Sequence, residues 1–461
     1  MPILSKFAFK TQKNGYIARY NSLKNIPVYY KDSLDQQVES YLNNGCNEKI
    51  LNDEIESIID SLKKNKVIVD NEEYDDSIYF AIQNANEAPY PSILYLILTE
   101  KCNFNCSYCF IERHMNPNKA NIMTKEIAKK AIDFFCKQIK CDPSKFDDEK
   151  TILFYGGEPL SNFDVLVYAC QLVNQYVEEG KLPKKTVLSM VTNGSLLTRE
   201  KARLLKKLGV SFSISLDGVT EKANVARVLK DGTPAYNRII SGIENAKAEG
   251  LQVGLSITLS ENALAEKEDI MSLIDKYDIK GIGFNILNTD KSFRVSDDYF
   301  EKASKFIIDS YPKFRTKGIY EDRIMRKVTA FTEHKLYYCD CGAEGGHQFV
   351  VAPNGEIGIC QGFLSSRKTF ITNVNDENFD ILTNELYLEW NKRTPFLMPQ
   401  CKTCQCLGIC GGGCALCAYE NGNSIFDLDE GFCIHSKMTL EFLIWDLFDA
   451  IRKRTESNEN K

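Results

Sequence analysis

Histidine and tryptophan are scarce in this chain, with four and two among 461 residues. No apolar run approaches the ~18 residues that a membrane-spanning helix needs, so no membrane span is expected. Met1 to Lys13 carries Lys6, Lys10 and Lys13 and no long apolar core, which argues against a secretory signal peptide. No long basic block occurs and the net charge is −6, so a nucleic-acid partner has no electrostatic support. The expectation is a cytoplasmic protein. Hydrophobic content of 43% and charged content of 26% are those of an ordinary globular chain. The length suggests roughly three domains at ~150 residues each.

Cysteine is what the chain has in excess. Seventeen are present: three at 102–109, ten between Cys339 and Cys433, and the scattered Cys46, Cys136, Cys141 and Cys170. In a reducing compartment such grouping points to metal, not disulfides. The scattered four carry no motif and read as structural. The first group, Cys102-x3-Cys106-x2-Cys109, directly follows the apolar run Ile93–Leu98. Three thiolates on one short loop can hold three irons of a cubane [4Fe–4S] cluster. Four-Cys sets are the norm, so the fourth iron is left without a protein ligand, open to a chelating substrate. The competing metal is zinc, which takes four ligands with paired x2 to x4 spacings. The only candidate for a fourth ligand near this loop is His114.

Residues 1–90 read as a winged-helix-like module. Tyr16–Tyr20 and Ile26–Tyr30 are expected strands around the polar turn Asn21–Asn25. Leu34–Leu42 and Ile50–Leu62 are expected helices, the second with Ile50, Leu51, Ile55, Ile58, Ile59 and Leu62 at helical spacing. Val67–Val69 returns as a strand, and Asp70–Asn86 reads as an acidic connection. Strands then alternate with helices. The strands are Ile93–Leu98, Thr151–Tyr155, Val187–Thr192, Val210–Ser215, Gln252–Leu259 and Gly281–Leu287; the helices include Lys125–Ile139, Asp164–Val177 and Tyr236–Glu249. Six such repeats give an α/β fold built on a partial (β/α)6 TIM-like barrel over residues 91–320. Chemistry is expected on the loops at the carboxyl ends of its strands, where the cysteine loop falls. Gly156-Gly157-Glu158-Pro159 follows the second strand: the glycines would let backbone approach a ligand, and Glu158 offers an acceptor for an ammonium. Thr192-Asn193-Gly194 and Ser215-Leu216-Asp217-Gly218 end the next two strands. Residues 290–335 show helical periodicity, as at Lys302–Tyr311, but no evident chemistry. A Cys-rich region spans 321–437, and 438–461 holds an amphipathic packing helix (Met438–Ile451) and a polar tail.

The cysteine loop and Gly156–Pro159 together resemble the radical S-adenosylmethionine (SAM) enzymes. In that family the methionyl amino and carboxylate groups chelate the open iron, and the reduced cluster splits the sulfonium to a 5′-deoxyadenosyl radical. The resemblance implies cofactor contacts from Gly156, Gly157, Glu158 and Pro159 to the methionyl amino group. It adds Asn193 at the third strand end, Ser215 and Arg227 toward the ribose or carboxylate, and Tyr108 near the adenine. The family's [4Fe–4S] enzymes need an external electron donor such as flavodoxin or ferredoxin, and oxygen-labile clusters suggest an anaerobic host.

The order Cys341-x13-Gly355-x4-Cys360, then Cys401-x2-Cys404-x5-Cys410-x3-Cys414, then Cys433 resembles the SPASM extension of peptide-modifying radical enzymes. Carried over, Cys341, Cys360 and Cys414 belong to a first auxiliary [4Fe–4S] cluster, and Cys401, Cys404, Cys410 and Cys433 to a second, making three clusters in all. Cys339 is the best candidate to complete the first; otherwise an iron stays open to a substrate thiolate. Cys406 and Cys417 are extra thiols: either could be a ligand, though a small buried thiol is the commoner role, and His347 and His435 are read as packing or surface residues. The N-terminal module resembles the leader-recognition domain of such enzymes, which adds an extended leader to a sheet edge. A structural cap on the barrel is the alternative.

The expected activity is maturation of a ribosomally made precursor peptide (RiPP) by hydrogen abstraction, giving a cross-link such as a thioether. The alternative is the anaerobic sulfatase-maturing, formylglycine-generating reaction. That family has an Asp base directly after the Cys of the Gly-x4-Cys motif, where this chain has Gln361, and it starts its barrel nearer the N-terminus. An electron carrier or zinc-ribbon protein would need no open iron and no Gly156–Pro159 loop. No catalytic acid or base is assigned.

Overall fold

A computed structural model describes residues 2–43, 52–111, 115, 120–266 and 270–459. His114, Cys46, Ile50 and Leu51 lie outside the described residues. No helix of the described residues is long and apolar enough to cross a membrane.

The N-terminal unit contains β1 (Ile3–Leu4), β2 (Ala8–Lys13), β3 (Tyr16–Asn21), β4 (Val28–Lys31) and β5 (Ile68–Val69). β2, β3 and β4 form an antiparallel meander, and β1 pairs with β5. Asn14 and Gly15 join β2 to β3 with φ of 50° and 79°, the signature of a two-residue hairpin loop. β2 escapes the sequence reading because Ala-Phe-Lys-Thr-Gln-Lys has no apolar alternation: three of its six positions are exposed and none is buried. The second helix begins at Asp53, where Asn52 caps the Ile55 N–H, and it buries Ile55, Ile58, Ile59 and Leu62. Asp70–Asn86 is not a mere connection. Glu72–Asn84 is a helix capped by Asn71, and Tyr79 donates to the Phe396 carbonyl (2.8 Å), fastening it to the C-terminal third.

The barrel strands are β6 (Ile93–Thr99), β7 (Lys150–Gly156), β8 (Thr186–Thr192), β9 (Val210–Leu216), β10 (Gly254–Thr258) and β11 (Gly281–Asn285), all parallel. Branched and aromatic residues alternate in them with smaller ones. Leu94, Leu96, Ile152, Phe154, Leu188, Met190, Phe212, Ile214, Leu255, Ile257, Ile282 and Phe284 are buried toward the helices. The intervening Tyr95, Tyr155, Ser213, Ser215, Ser256, Thr258 and Asn285 line a half-buried lumen. The sheet does not stop at six strands. β12 (Tyr320–Glu321) extends it beyond β11, and β13 (Gln348–Val351) pairs in parallel with β6 on the other side. β14 (Glu356–Gly358) and β15 (Phe370–Asn373) follow antiparallel, giving ten strands. The Cys-rich region is therefore hydrogen-bonded into the barrel sheet beside the cysteine loop's own strand.

Residues 290–335 hold two helices, Tyr299–Lys317 and Asp322–Thr332. The C-terminal helix runs from Glu430 to Glu459, so Cys433 stands in its first turn and the expected start at Met438 falls inside it. It packs on the barrel helix through Tyr311 and Phe442 (6.1 Å between ring centroids), and on the N-terminal sheet through Tyr16 and Phe448 (4.6 Å).

Candidate functional site

The cysteine loop leaves β6 at the carboxyl edge and is held on three sides. Phe104 is buried and bridges to Leu229, while Asn105 and Ser107 donate to the Val228 and Ala226 carbonyls (2.8 and 3.2 Å). Glu100 accepts from the Asn121 N–H (2.7 Å) and forms an ion pair with Arg367 of the Cys-rich region. Cys102, Cys106 and Cys109 are half-buried, and the Phe104 N–H points at Cys102 Sγ (3.4 Å).

Gly156 and Gly157 serve this loop directly. A Cβ on Gly157 would lie 2.3 Å from the Lys101 carbonyl and 2.8 Å from the Cys102 nitrogen; one on Gly156 would lie 2.3 Å from the Thr99 oxygen. Gly157 and Glu158 donate from their backbones to Thr99 and Lys101 (2.8 and 3.0 Å). The expected close approach to a ligand is thus first a close approach to the thiol-bearing backbone. Glu158 is held by the protein's own donors. Its carboxylate is 1% exposed and takes bonds from Leu160 N, Thr192 Oγ1 and Asn193 N (3.0, 2.6 and 2.8 Å). Burial raises its pKa, opposed by those donors. It braces two strand ends against each other, and Pro159, buried, opens a short 3-10 turn below them. Asn193 reaches the other way: its Nδ2 donates to Asn103 Oδ1 (2.9 Å) and lies 3.8 Å from Cys102 Sγ.

Arg227 is buried beside Asp217. It is 6% exposed, and its Nε donates to Asp217 (2.7 Å). The Tyr108 hydroxyl donates to the same carboxylate (2.7 and 2.8 Å), with the Arg227 guanidinium 5.5 Å over its ring. Burial raises the Asp217 pKa, and Arg227 and Tyr108 pull it back. Asp217 is the residue the sequence reading passed over, although it stands in the quoted strand-end motif. Ser215 faces the lumen opposite Ser256, to which Asn285 donates (2.9 Å).

Two further thiol groups form in the Cys-rich region. Burial pushes Cys360 up to about 12, and Cys414 adds to it. Cys341 is raised by burial, then by Glu344, Cys414 and Cys360. The second group is as coherent: burial holds Cys401 and Cys433 up at about 12, and Cys410 and Cys404 act on both. Cys404 is held down to about 6 by a hydrogen bond with Cys406. Among the described residues no three His, Cys, Asp or Glu side chains converge closely enough for a single metal ion.

The donor chemistry fits clusters. Thiolates select iron–sulfur centres, and two buried orphans flank the groups. Lys327 is 0% exposed with no hydrogen-bond partner for Nζ; its ring contact is Phe432 (4.0 Å), and Cys410 and Asp340 are the anionic groups acting on it. A buried ammonium without a partner is costly, and a thiolate-ligated cluster of net negative charge supplies one. His435, read from sequence as packing or surface, is 0% exposed with both ring nitrogens unpartnered, and burial, then Lys327, pushes its pKa well below 6.5.

Residues 96–274 match the family model of the Radical SAM superfamily. Residues 96–274 thus form a radical SAM domain, and the chain is an enzyme. Among curated relatives it is 27% identical over 370 residues to the radical SAM cyclopropyl synthase TigE of Paramaledivibacter caminithermalis, covering 76% of this chain and 73% of that one. It is 22% identical to a cysteine-type anaerobic sulfatase-maturating enzyme of Clostridium perfringens, covering 76% and 95%. Streptococcus suis SuiB, solved with S-adenosylmethionine and with the precursor peptide SuiA, superposes with a TM-score of 0.53 at 14% identity. Those matches cover 94% of this chain and 99–100% of that one. Radical SAM membership implies S-adenosylmethionine and a [4Fe–4S] cluster.

Proposed function

We propose that this chain is a radical SAM maturase of a ribosomally made peptide, with three [4Fe–4S] clusters. The observation that carries the reading is the joining of a three-thiol loop at the barrel edge to two further thiol groups through one continuous sheet. Cys102, Cys106 and Cys109 would hold the first cluster, which together with S-adenosylmethionine supplies a carbon-centred radical. The chain's own residues set the frame. Glu158 locks the ends of β7 and β8, Gly157 seats the thiol loop, and Asp217 fixes Tyr108 and Arg227. The half-buried lumen with Ser215, Ser256 and Asn285 offers polar contacts while the barrel excludes water. Auxiliary clusters held by Cys341, Cys360, Cys414 and by Cys401, Cys404, Cys410, Cys433 suit electron transfer to an external protein donor or acceptor. The structure of SuiB bound to the precursor peptide SuiA agrees with a peptide substrate.

β2 supports a leader-binding role for residues 1–90. Among the described strands it pairs only with β3, so its outer edge is open for strand addition. The sulfatase-type reaction is less well supported. The Gln361 side chain accepts from Gln348 Nε2 (3.2 Å), and an amide cannot serve as the base.

A search beside the gene for a short Cys-rich reading frame, then its co-expression with this chain and mass spectrometry, tests the proposal. Each cross-link should remove one hydrogen pair. C102A, C106A and C109A should each abolish both cross-linking and 5′-deoxyadenosine formation; turnover retained in any of the three overturns the assignment.

A further inference from the structure

We propose that Arg367 of the Cys-rich region is a positioning residue for the three-thiol loop and acts on it through Glu100. The inference rests on the reading that Cys102, Cys106 and Cys109 hold the first cluster; it needs no cluster in the Cys-rich region. Glu100 stands two residues before Cys102 and is 2% exposed. Its two carboxylate oxygens have separate partners. Oε2 accepts from the backbone and the side chain of Asn121 (2.7 and 3.0 Å), and the Glu100 N–H donates back to the Asn121 carbonyl (3.0 Å). Oε1 accepts from the Arg367 guanidinium. The first oxygen ties the chain entering the thiol loop to the chain returning toward the helix Lys125–Gln138. The second ties both to a part of the protein more than 240 residues further on.

Arg367 is held so that it reaches Glu100 and little else. It lies on the turn that follows Cys360: Phe363 N donates to the Cys360 carbonyl (3.2 Å), and Arg367 N to the Phe363 carbonyl (2.8 Å). Its Nε donates to Glu356 on β14 (2.7 Å), its Nη1 donates to the Leu364 carbonyl, and the Phe370 ring of β15 lies 4.8 Å away. A planar fork of five donors serves three such acceptors at once; a lysine ammonium does not share that geometry. The backbone supplies an independent observation. Arg367 has a φ of 59°, in the left-handed region that glycine favours. Such strain persists where surrounding contacts over-determine it, and here they are contacts of the side chain itself.

The consequence falls on Cys102. A carboxylate as buried as Glu100 is costly once its cation is removed. Without Arg367 it must turn toward water, and the segment Glu100–Cys102 must turn with it. That segment has no slack, because the Gly157 backbone packs on it so closely that a Cβ would lie 2.3 Å from the Lys101 carbonyl. The Cys-rich region thus sets where the first thiol of the loop stands.

The test uses the full chain after anaerobic reconstitution and chemical reduction. It reads the part of the EPR spectrum that shifts on adding SAM, which reports the first cluster alone, and kcat/KM for 5′-deoxyadenosine formation. R367G removes the fork while easing the backbone. It should lose roughly 10–100-fold in kcat/KM, the range for partners that orient metal ligands, and its SAM-shifted signal should weaken. R367K, which restores the charge but not the fork, should stand between R367G and the parent. E100Q/R367G, which removes the buried charge together with its partner, should recover part of the loss. E356Q, which takes away only the more exposed partner, should match the parent. Parental values in R367G overturn the proposal. So does an R367K or an E100Q/R367G no better than R367G, or an E356Q as impaired as R367G. A parent with no SAM-shifted signal overturns the reading that the loop holds the cluster, and with it this inference.

Discussion

Lys327→Met isolates the charge buried beneath the second auxiliary group. The ammonium has no hydrogen-bond partner and faces Cys410, with Phe432 covering its other side. Adding an electron to a cluster adds negative charge, so a nearby cation favours the reduced form and raises the potential. At a separation of about 7 Å and an effective dielectric near 20, one unit charge is worth about 2.4 kcal/mol. At about 2.3 kcal/mol per 100 mV, that is a fall of roughly 100 mV on removing the charge. A redox titration followed by EPR measures it, and K327R should recover most of the shift because it keeps the charge. The apo-protein should respond in the opposite sense, since burial lowers the Lys327 pKa below 10.5 and no cluster compensates. There the unfolded chain binds more protons than the folded one only between the lowered folded pKa and 10.5, so wild-type stability relative to K327M should rise as pH climbs through that window. An unchanged potential in holo-K327M, with the cluster present, would refute the argument that the ammonium answers a cluster.

Two other outcomes follow from the barrel edge and the N-terminal sheet. Gly157→Ala puts a methyl 2.3 Å from the Lys101 carbonyl, and such overpacking typically costs about 1–3 kcal/mol; the thiol loop must shift, so 5′-deoxyadenosine formation and the first cluster's share of iron should fall while auxiliary iron stays. Normal cleavage of S-adenosylmethionine in G157A would contradict the seating role. In β2 the two-residue loop leaves Lys13 and Tyr16 as the closing hydrogen-bonded pair, so the Gln12 N–H points to the open edge. Gln12→Pro should therefore weaken modification of a leader-bearing precursor, at unchanged peptide-independent cofactor cleavage; undiminished modification would remove β2 as the docking edge.

The parts of this molecule that declare themselves in the sequence are those set by local pattern. Ile93–Leu98 and Thr151–Tyr155 are continuous apolar runs because both faces of their strands are covered, and they emerge within a residue or two of their observed ends. The division of the later cysteines into two sets is what the family resemblance implies; in the fold, Cys410 and Cys404 act on both Cys401 and Cys433. What stays hidden depends on partners far along the chain. Lys327 belongs to a helix whose sequence shows ordinary amphipathicity, and only packing against Phe432 reveals its ammonium as buried. The donors that hold Glu158 show only when Thr192 and Asn193 are brought to it by the neighbouring strand. Arg227 is the same case with Asp217. β13 had a visible signal, the apolar run Phe349–Ala352, but its pairing with β6 spans more than 250 residues of chain.

The helix Glu430–Glu459 explains why these units cannot be treated as separable pieces. Cys433 lies in its first turn, and Phe448 lies fifteen residues on, about 22 Å along a helix rising 1.5 Å per residue. At that far end Phe448 and Trp445 are buried against Tyr16 and Tyr29, and the Tyr29 hydroxyl donates to the Ile444 carbonyl (2.6 Å). Between Trp445 and Phe448, Asp446 pairs with Arg315 of the helix Tyr299–Lys317 (3.0 Å), and Phe442, a turn earlier, packs on Tyr311. Burial of each large side chain is worth about 1.5–3 kcal/mol. Removing residues 1–90 would uncover Trp445 and Phe448 together and load that penalty onto the helix that carries a candidate cluster ligand. A loss of peptide modification in such a truncation would then have two causes at once, a missing leader edge and a loosened second thiol group. A substitution confined to the outer edge of β2 leaves the helix contacts in place, so it separates recognition of the precursor from integrity of the clusters.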